Sequence, residues 1–211
     1  MLIEVYSDTV CPWCYLGFAR LQQALAERPA QAVELRWLPF ELNPDLPAEG
    51  RDRAEFLRER SGDVDRFAKA QATLRTLGAE AGISFDFEAI RRIPNTRRSH
   101  ALIAWAAGQG AQNEIKRRVL AAYFAEGRDI GDPDTLAALA GEAGLDPVGA
   151  RAAVDDPRLH EGIAALEAQA RAWQINSVPT FILDRRYAFS GAQPLPVFRQ
   201  TLDAAAAETP R

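Results

Sequence analysis

The chain has two cysteines, Cys11 and Cys14, spaced C-x-x-C, and they stand between a strand-like run and a helix-like run. Leu2-Ile3-Glu4-Val5-Tyr6 reads as the strand, and Phe18 to Arg28 as the helix. Pro12 suits the first turn of a helix, where its missing N–H costs nothing. Cys11 therefore falls at the helix start, where free backbone N–H groups and the positive end of the dipole favour an anion. That setting lowers a thiol's pKa and makes it nucleophilic. Cys14 lies three residues on, within one turn and on the same face, so the pair can close a short disulfide without rearranging the chain. We take Cys11 as the attacking thiol and Cys14, deeper in the helix, as the resolving one. Asp8 opposes a thiolate on Cys11 unless it points away.

Two other uses of C-x-x-C are weaker here. A structural disulfide this tight closes so small a loop that it stabilises little. A zinc site needs four ligands, and the remaining soft candidates, His100 and His160, lie far downstream on separate expected helices. The expectation is no metal.

The 211 residues allow one large domain, or one carrying another inserted in it. Such a chain buries about 70% of its unfolded surface and needs no disulfide staple. A hydrophobic fraction of 47% and a charged fraction of 26% fit an ordinary water-soluble globular protein. The net charge of −4 argues against a general nucleic-acid surface. The arginine pairs (Arg91-Arg92, Arg97-Arg98, Arg117-Arg118, Arg185-Arg186) are scattered among acids and read as solvated faces. Glu4 interrupts the first apolar run, which argues against a signal peptide, and no apolar stretch is long enough for a membrane span. The expected location is the cytoplasm, where a C-x-x-C is catalytic or redox-sensing.

After the first helix, Val33 to Leu38 alternates as a strand, and the prolines of Pro39 to Pro47 break regular structure. Strand, helix, strand is a βαβ opening and favours a parallel pair. From Arg51 to about Val154 the period is helical, without a convincing strand: Val64, Phe67, Leu74 and Leu77, then Leu102 and Trp105, then Ile115, Val119, Leu120, Tyr123 and Phe124. Asp132-Pro133, Asp146-Pro147 and Asp156-Pro157 read as helix starts, and Gly144 as a stop. The last start opens a helix with Leu159, Ile163, Leu166, Ala170 and Trp173 on one face. Thr180 to Leu183 and Tyr187 to Phe189 read as an antiparallel hairpin, and Pro194 to Ala207 as a closing helix.

This order, with C-x-x-C at the first helix start, resembles the DsbA-like thioredoxin family. The expected fold class is α/β, a thioredoxin fold with a large all-helical insertion: residues 1–45 and 156–211 form the thioredoxin-like domain and 46–155 the insertion. Ser177-Val178-Pro179-Thr180 stands where that family carries a proline, usually cis, before its third strand. The resemblance implies that Pro179 is cis and faces Cys11. The stretches Ser7 to Cys14, Trp37 to Asp45, Asn95 to His100 and Ser177 to Thr180 resemble the FrnE-type branch. Glutathione-dependent relatives, the kappa-class transferases and 2-hydroxychromene-2-carboxylate isomerases, commonly have serine for the first cysteine. This chain keeps both cysteines, while Asn43, Asn95 and Val178-Pro179 match positions able to hold glutathione.

The expected function is thiol–disulfide oxidoreduction by a protein disulfide oxidoreductase acting on protein or small-molecule disulfides or dithiols. The alternatives are a glutathione-dependent transferase or isomerase of a small hydrophobic electrophile, and a redox-sensing or chaperone-like binding module. No cofactor is expected to bind tightly, with glutathione as a candidate co-substrate. A monomer or homodimer is expected, with no nucleic-acid or membrane partner. Beside Cys11 and Cys14, the expected substrate-binding residues are Pro12, Trp13, Val178, Pro179, Phe40, Asn43 and Asn95. The strand from Thr180, taken as an edge, is expected to pair with extended substrate through Val178. Trp13 and Tyr15 are expected either to rim the site or to pack at the helix start. His100 and Asn95 read first as a satisfied core or surface residue and a helix cap, and His160 as surface.

Overall fold

The computed structural model describes residues 1–60 and 64–207. Its elements run β1 (Leu2–Ser7), α1 (Pro12–Ala26), β2 (Glu34–Pro39), β3 (Arg51–Asp52), α2 (Arg53–Arg60), α3 (Val64–Glu80), β4 (Arg92–Ile93), α4 (Arg97–Ala107), α5 (Gln112–Phe124), α6 (Pro133–Glu142), α7 (Pro147–Ala153), α8 (Pro157–Ala172), β5 (Thr180–Leu183), β6 (Tyr187–Ser190) and α9 (Leu195–Ala207). Four strands form one sheet in the order β2-β1-β5-β6. β1 pairs parallel with β2 and antiparallel with β5, with Val5 opposite Trp37 on one side and Phe181 on the other. β5 and β6 form the antiparallel hairpin. Asp184 and Arg185 turn it at positive φ, and the Asp184 carboxylate accepts from Leu2 N–H at 2.6 Å.

The sheet order corrects one expectation. β5 is an interior strand, and β2 and β6 are the edges. Thr180 already spends its ladder on Tyr6 and Ser190, so no substrate strand can add along β5 itself; Val178, through which the pairing was expected, precedes β5 and lies outside that ladder. A second departure is the two-residue antiparallel pair β3–β4 inside the helical stretch, too short for any period to announce.

The aspartate-proline helix starts form as their chemistry demands. Asp132 caps α6 and Asp146 caps α7, each accepting from two backbone N–H groups, and Asp156 caps α8 by accepting from Arg158 N–H. Gly144, with φ +79°, follows α6 as the left-handed stop.

Alternation along β1 divides its side chains. Ile3 and Val5 join the main core with α1, α9 and residues of α3 to α7. Tyr6 points to a smaller cluster with Ala170 and Ile175, flanked by Phe40 and Val178. The main core is continuous from the sheet into α4, α5 and α6. Burying β1 on both faces holds its C-terminal end, and with it the start of α1, rigidly.

Several sequence-read side chains find their places here, Tyr15 in the packed position that was one of its two expectations and the others elsewhere than expected. Tyr15 belongs to the core, stacked on Phe124 at 5.7 Å and edge-on to Phe85 at 5.4 Å. Trp173 is the C-cap of α8 and is exposed, because the helix ends before its period carries that ring inward. Phe67 is also exposed. Arg97 is not on a solvated face: it makes two 2.7 Å bonds to the buried Glu41 carboxylate. His160 is half-buried and its Nε2 lies 2.8 Å from the Val154 carbonyl.

Candidate functional site: a dithiol over a buried charge cluster

Cys11 is the N-cap residue of α1, in extended backbone, and Pro12 opens the helix. The Cys11 carbonyl accepts from Cys14 N–H at 2.9 Å and Tyr15 N–H at 3.3 Å, which starts the helical ladder. Both cysteines are free thiols, Cys11 5% exposed and Cys14 fully buried. The Val178–Pro179 peptide bond is cis, and the Cys11 Sγ lies 3.7 Å from the Val178 carbonyl oxygen. This loop is pinned on both sides: Thr180 Oγ1 donates to Ser177 O at 2.7 Å, and Gly191 N–H to Pro179 O at 2.7 Å. Gly17 lets α1 lie against it. A Cβ there would stand 3.0 Å from Pro179 Cγ and 3.1 Å from the Phe181 ring.

Beneath the sulfurs lies a cluster of buried charge. Asp8 is tied to partners of its own but still acts on Cys11: its Oδ1 accepts from Thr9 N–H at 2.7 Å and lies 3.3 Å from His100 Nε2, and its Oδ2 accepts from Leu42 N–H at 2.7 Å. Burial works against the Asp8 charge, but the His100 bond and field, the Leu42 N–H and Lys116 outweigh it, and its pKa is lowered. His100 is thus a satisfied core residue, directly behind the site. Lys116, on α5, is 1% exposed, and its ammonium sits 5.5 Å from the Trp37 ring centroid. Burial depresses its pKa to about 8, against the attraction of Cys14, Asp8 and Cys11.

The two thiols titrate as a pair. Cys11 is pushed well up, first by its hydrogen bond to Cys14, then by burial and the Cys14 charge, with Asp8 adding to the effect. For Cys14, burial opposes the charge. The Cys11 hydrogen bond, Lys116, the Ser7 hydroxyl and the Asp8 N–H overcome it, and its pKa is lowered. A charge on either sulfur thus opposes a charge on the other, and at Cys11 the Cys14 neighbour and burial outweigh the helix start that favours a thiolate. Ser7 Oγ is buried without a hydrogen-bond partner within reach among the described residues, and it faces the Cys14 sulfur, whose charge it favours.

The structure brings Cys11, Cys14, Pro12, Val178 and Pro179 together. Trp13 flanks them at 37% exposure. Pro12 and Asn43 line an apolar cavity of about 160 Å³ with Val10, Leu42, Phe56 and Phe124. Phe40 and Asn95 do not line it. Phe40 and Val178 both pack against the smaller cluster. Asn95 donates to Leu46 O at 2.8 Å and accepts from Arg97 N–H at 3.0 Å, one residue ahead of the N-cap residue Thr96, so its amide ties the proline-rich loop to α4. Among the described residues no group of three or more His, Cys, Asp or Glu side chains is placed to hold a metal, and no helix is long and apolar enough to cross a membrane.

Sequence reading missed Lys116. A signal was there: Lys116 lies four residues before Leu120 and seven before Tyr123, on the apolar side of α5.

Comparison with known proteins agrees with this architecture. Residues 2–203 match the DSBA-like thioredoxin domain. The chain is 31% identical over 183 residues to the uncharacterized protein YwbO of Bacillus subtilis, covering 86% of each. Among solved structures, a probable DsbA oxidoreductase from Streptomyces coelicolor superposes with a TM-score of 0.88 at 32% identity, over 100% of this chain and 92% of that one. The cytosolic disulfide reductase DsbM of Pseudomonas aeruginosa, solved with glutathione, shares the fold at 19% identity, with a TM-score of 0.71 over 98% of this chain and 100% of that one. This chain belongs to the DSBA-like thioredoxin-domain family.

Proposed function

We propose that the protein is a thiol–disulfide oxidoreductase working through Cys11 and Cys14. The observation that carries the reading is the pair of free thiols at the start of α1, with the Cys11 sulfur 3.7 Å from the Val178 carbonyl beside Pro179. In the reductive direction, the Cys11 sulfur passes its proton to Cys14 or solvent and attacks one sulfur of a substrate disulfide. That S–S bond breaks, a mixed disulfide forms, and the first substrate thiolate leaves. Cys14 gives its proton to the departing thiolate or to solvent and attacks the Cys11 sulfur; the Cys11–substrate S–S bond breaks, the Cys11–Cys14 disulfide closes, and the second substrate thiolate leaves and takes a proton from solvent. The two electrons gained by substrate are those lost by the dithiol. The reverse sequence oxidises a substrate dithiol. Cys11 is the more accessible sulfur, and Lys116 favours the charge on Cys14 that the second step needs.

The substrate-binding roles follow this chemistry. Val178 and Pro179 border the sulfur, Trp13 offers an exposed apolar ring, and the cavity beside Pro12 and Asn43 suits an apolar side chain of the substrate. Phe40 packs against the same small cluster as Val178, and Asn95 shapes the Leu46 loop. We take residues 1–45 and 156–211 as the thioredoxin-like part and 46–155 as the insertion, which then supplies Lys116 and His100 from outside. A cytoplasmic setting and glutathione as co-substrate go with this reading, since DsbM is described as cytosolic and was solved with glutathione.

Insulin disulfide reduction with dithiothreitol tests it, with glutathione binding measured alongside. Wild type turns over, Cys11→Ser is inactive, and Cys14→Ser traps a mixed disulfide. An idle wild type, with glutathione bound and an electrophile still processed by Cys14→Ser, replaces the reading with a glutathione-dependent transferase or isomerase.

A further inference from the structure

A second cavity, of about 220 Å³, lies between β2, α4, α5 and α8. Cys11 and Cys14 do not line it. Its walls are mostly apolar, with Trp37, Ile103, Leu159 and Ile163 among them, and no acidic side chain lines it. Four polar side chains reach it: Gln112, His100, Arg158 and Lys116. Three are already engaged. Gln112 is bonded to both backbone groups of Trp37, each at 3.0 Å. His100 Nε2 faces Asp8. Arg158 is held by Asp156 at 3.1 Å. Lys116 is different: it is 1% exposed, hydrogen-bonds no described residue, and has the Trp37 ring at 5.5 Å and the charges of Cys14, Asp8 and Cys11 as its compensation.

A buried ammonium without an acceptor is costly, and a carboxylate in contact with it removes that cost. The rest of the wall rewards apolar surface. A cavity of about 150 Å³ is enough for a benzene ring, so this one has room for a ring and a carboxylate. A phosphate dianion, needing several donors, finds one free ammonium only.

We propose that this cavity is a binding site for a small monocarboxylate with an aromatic or branched apolar body, its carboxylate held by Lys116. The site is separate from the thiols in space but joined to them through Lys116, whose charge faces Cys14 and Asp8 from the other side. A bound carboxylate offsets that charge, so occupancy of the cavity weakens the support Lys116 gives the Cys14 thiolate. The binding itself does not depend on the oxidoreductase reading, and is measured without any turnover.

The test is isothermal titration of the reduced protein with benzoate and with benzamide, its uncharged isostere. Benzoate is expected to bind one per chain, at least about tenfold more tightly than benzamide, the scale of one charge-assisted bond. Two variants locate it. Gly162→Leu narrows the cavity from α8, where a Cβ meets nothing within 4 Å and the fold is not disturbed. Lys116→Met removes the ammonium at similar volume. Both are expected to lose at least about tenfold in benzoate affinity. Failure of benzoate to bind wild type, equal binding of benzamide, or wild-type affinity in either variant overturns the assignment.

Discussion

Replacing Lys116 by methionine is expected to stabilise the protein at neutral pH, although it removes a charge that faces the thiols. The size of the effect follows from the position of the ammonium. Burial lowers its pKa from 10.5 to about 8, already net of the attraction of Cys14, Asp8 and Cys11. That displacement makes the charged form cost about 3 kcal/mol in the folded state relative to the unfolded one. The cost is fully present below the folded pKa, where both states carry the proton. It shrinks as pH rises through the folded value towards the unfolded one, because the folded state has shed a proton that the unfolded state still binds. Lys116→Met has no such proton and fills nearly the same space. Urea unfolding of the reduced proteins is expected to show the variant about 3 kcal/mol more stable at about pH 7, and less than about 1 kcal/mol more stable at about pH 10. A variant less stable than wild type at neutral pH, or a gain that does not shrink with pH, refutes the reasoning. The first result means that the ammonium is held by a stronger partner than the fold provides.

Two other substitutions probe the frame around the site. Gly17→Ala places a methyl 3.0 Å from Pro179 and 3.1 Å from Phe181, and is expected to cost about 1–3 kcal/mol and to lower insulin-reduction rates by shifting the Val178–Pro179 loop off the Cys11 sulfur; wild-type melting and rates would show that α1 need not approach so closely. Arg97→Met leaves Glu41, whose side chain is 1% exposed, without its bidentate partner, and is expected to cost about 3–5 kcal/mol in urea unfolding. A loss under about 1 kcal/mol would mean that the pair behaves like an exposed salt bridge.

What the sequence alone determined is what neighbouring residues decide among themselves. Cys11, Pro12 and Cys14 fall at a helix start because the cap, the missing proline N–H and the three-residue spacing are all local. The Asp132, Asp146 and Asp156 caps, the Gly144 stop and the 184–186 hairpin turn are equally local, and each forms where its letters place it. The alternation of Ile3 and Val5 against Tyr6 needs only the pleat.

Tertiary structure decided the rest. Whether β5 is an edge depends on which strand pairs with β1, a contact between residues nearly two hundred positions apart in the chain, as with Ile3 and Leu183. Tyr15 goes inward because Phe85 and Phe124 arrive from distant helices. Arg97 is drawn from the surface because Glu41 lies buried beside it. Lys116 shows the limit most plainly. Its letter argues for solvent and its helical period for the core, and no local rule ranks the two. The packing of α5 against β2 and α1 settles the matter, since it fixes the ammonium beside Trp37, Cys14 and Asp8. Local chemistry thus wrote the dithiol and its helix, while the charge that tunes it came from a segment that meets it only when the chain is folded.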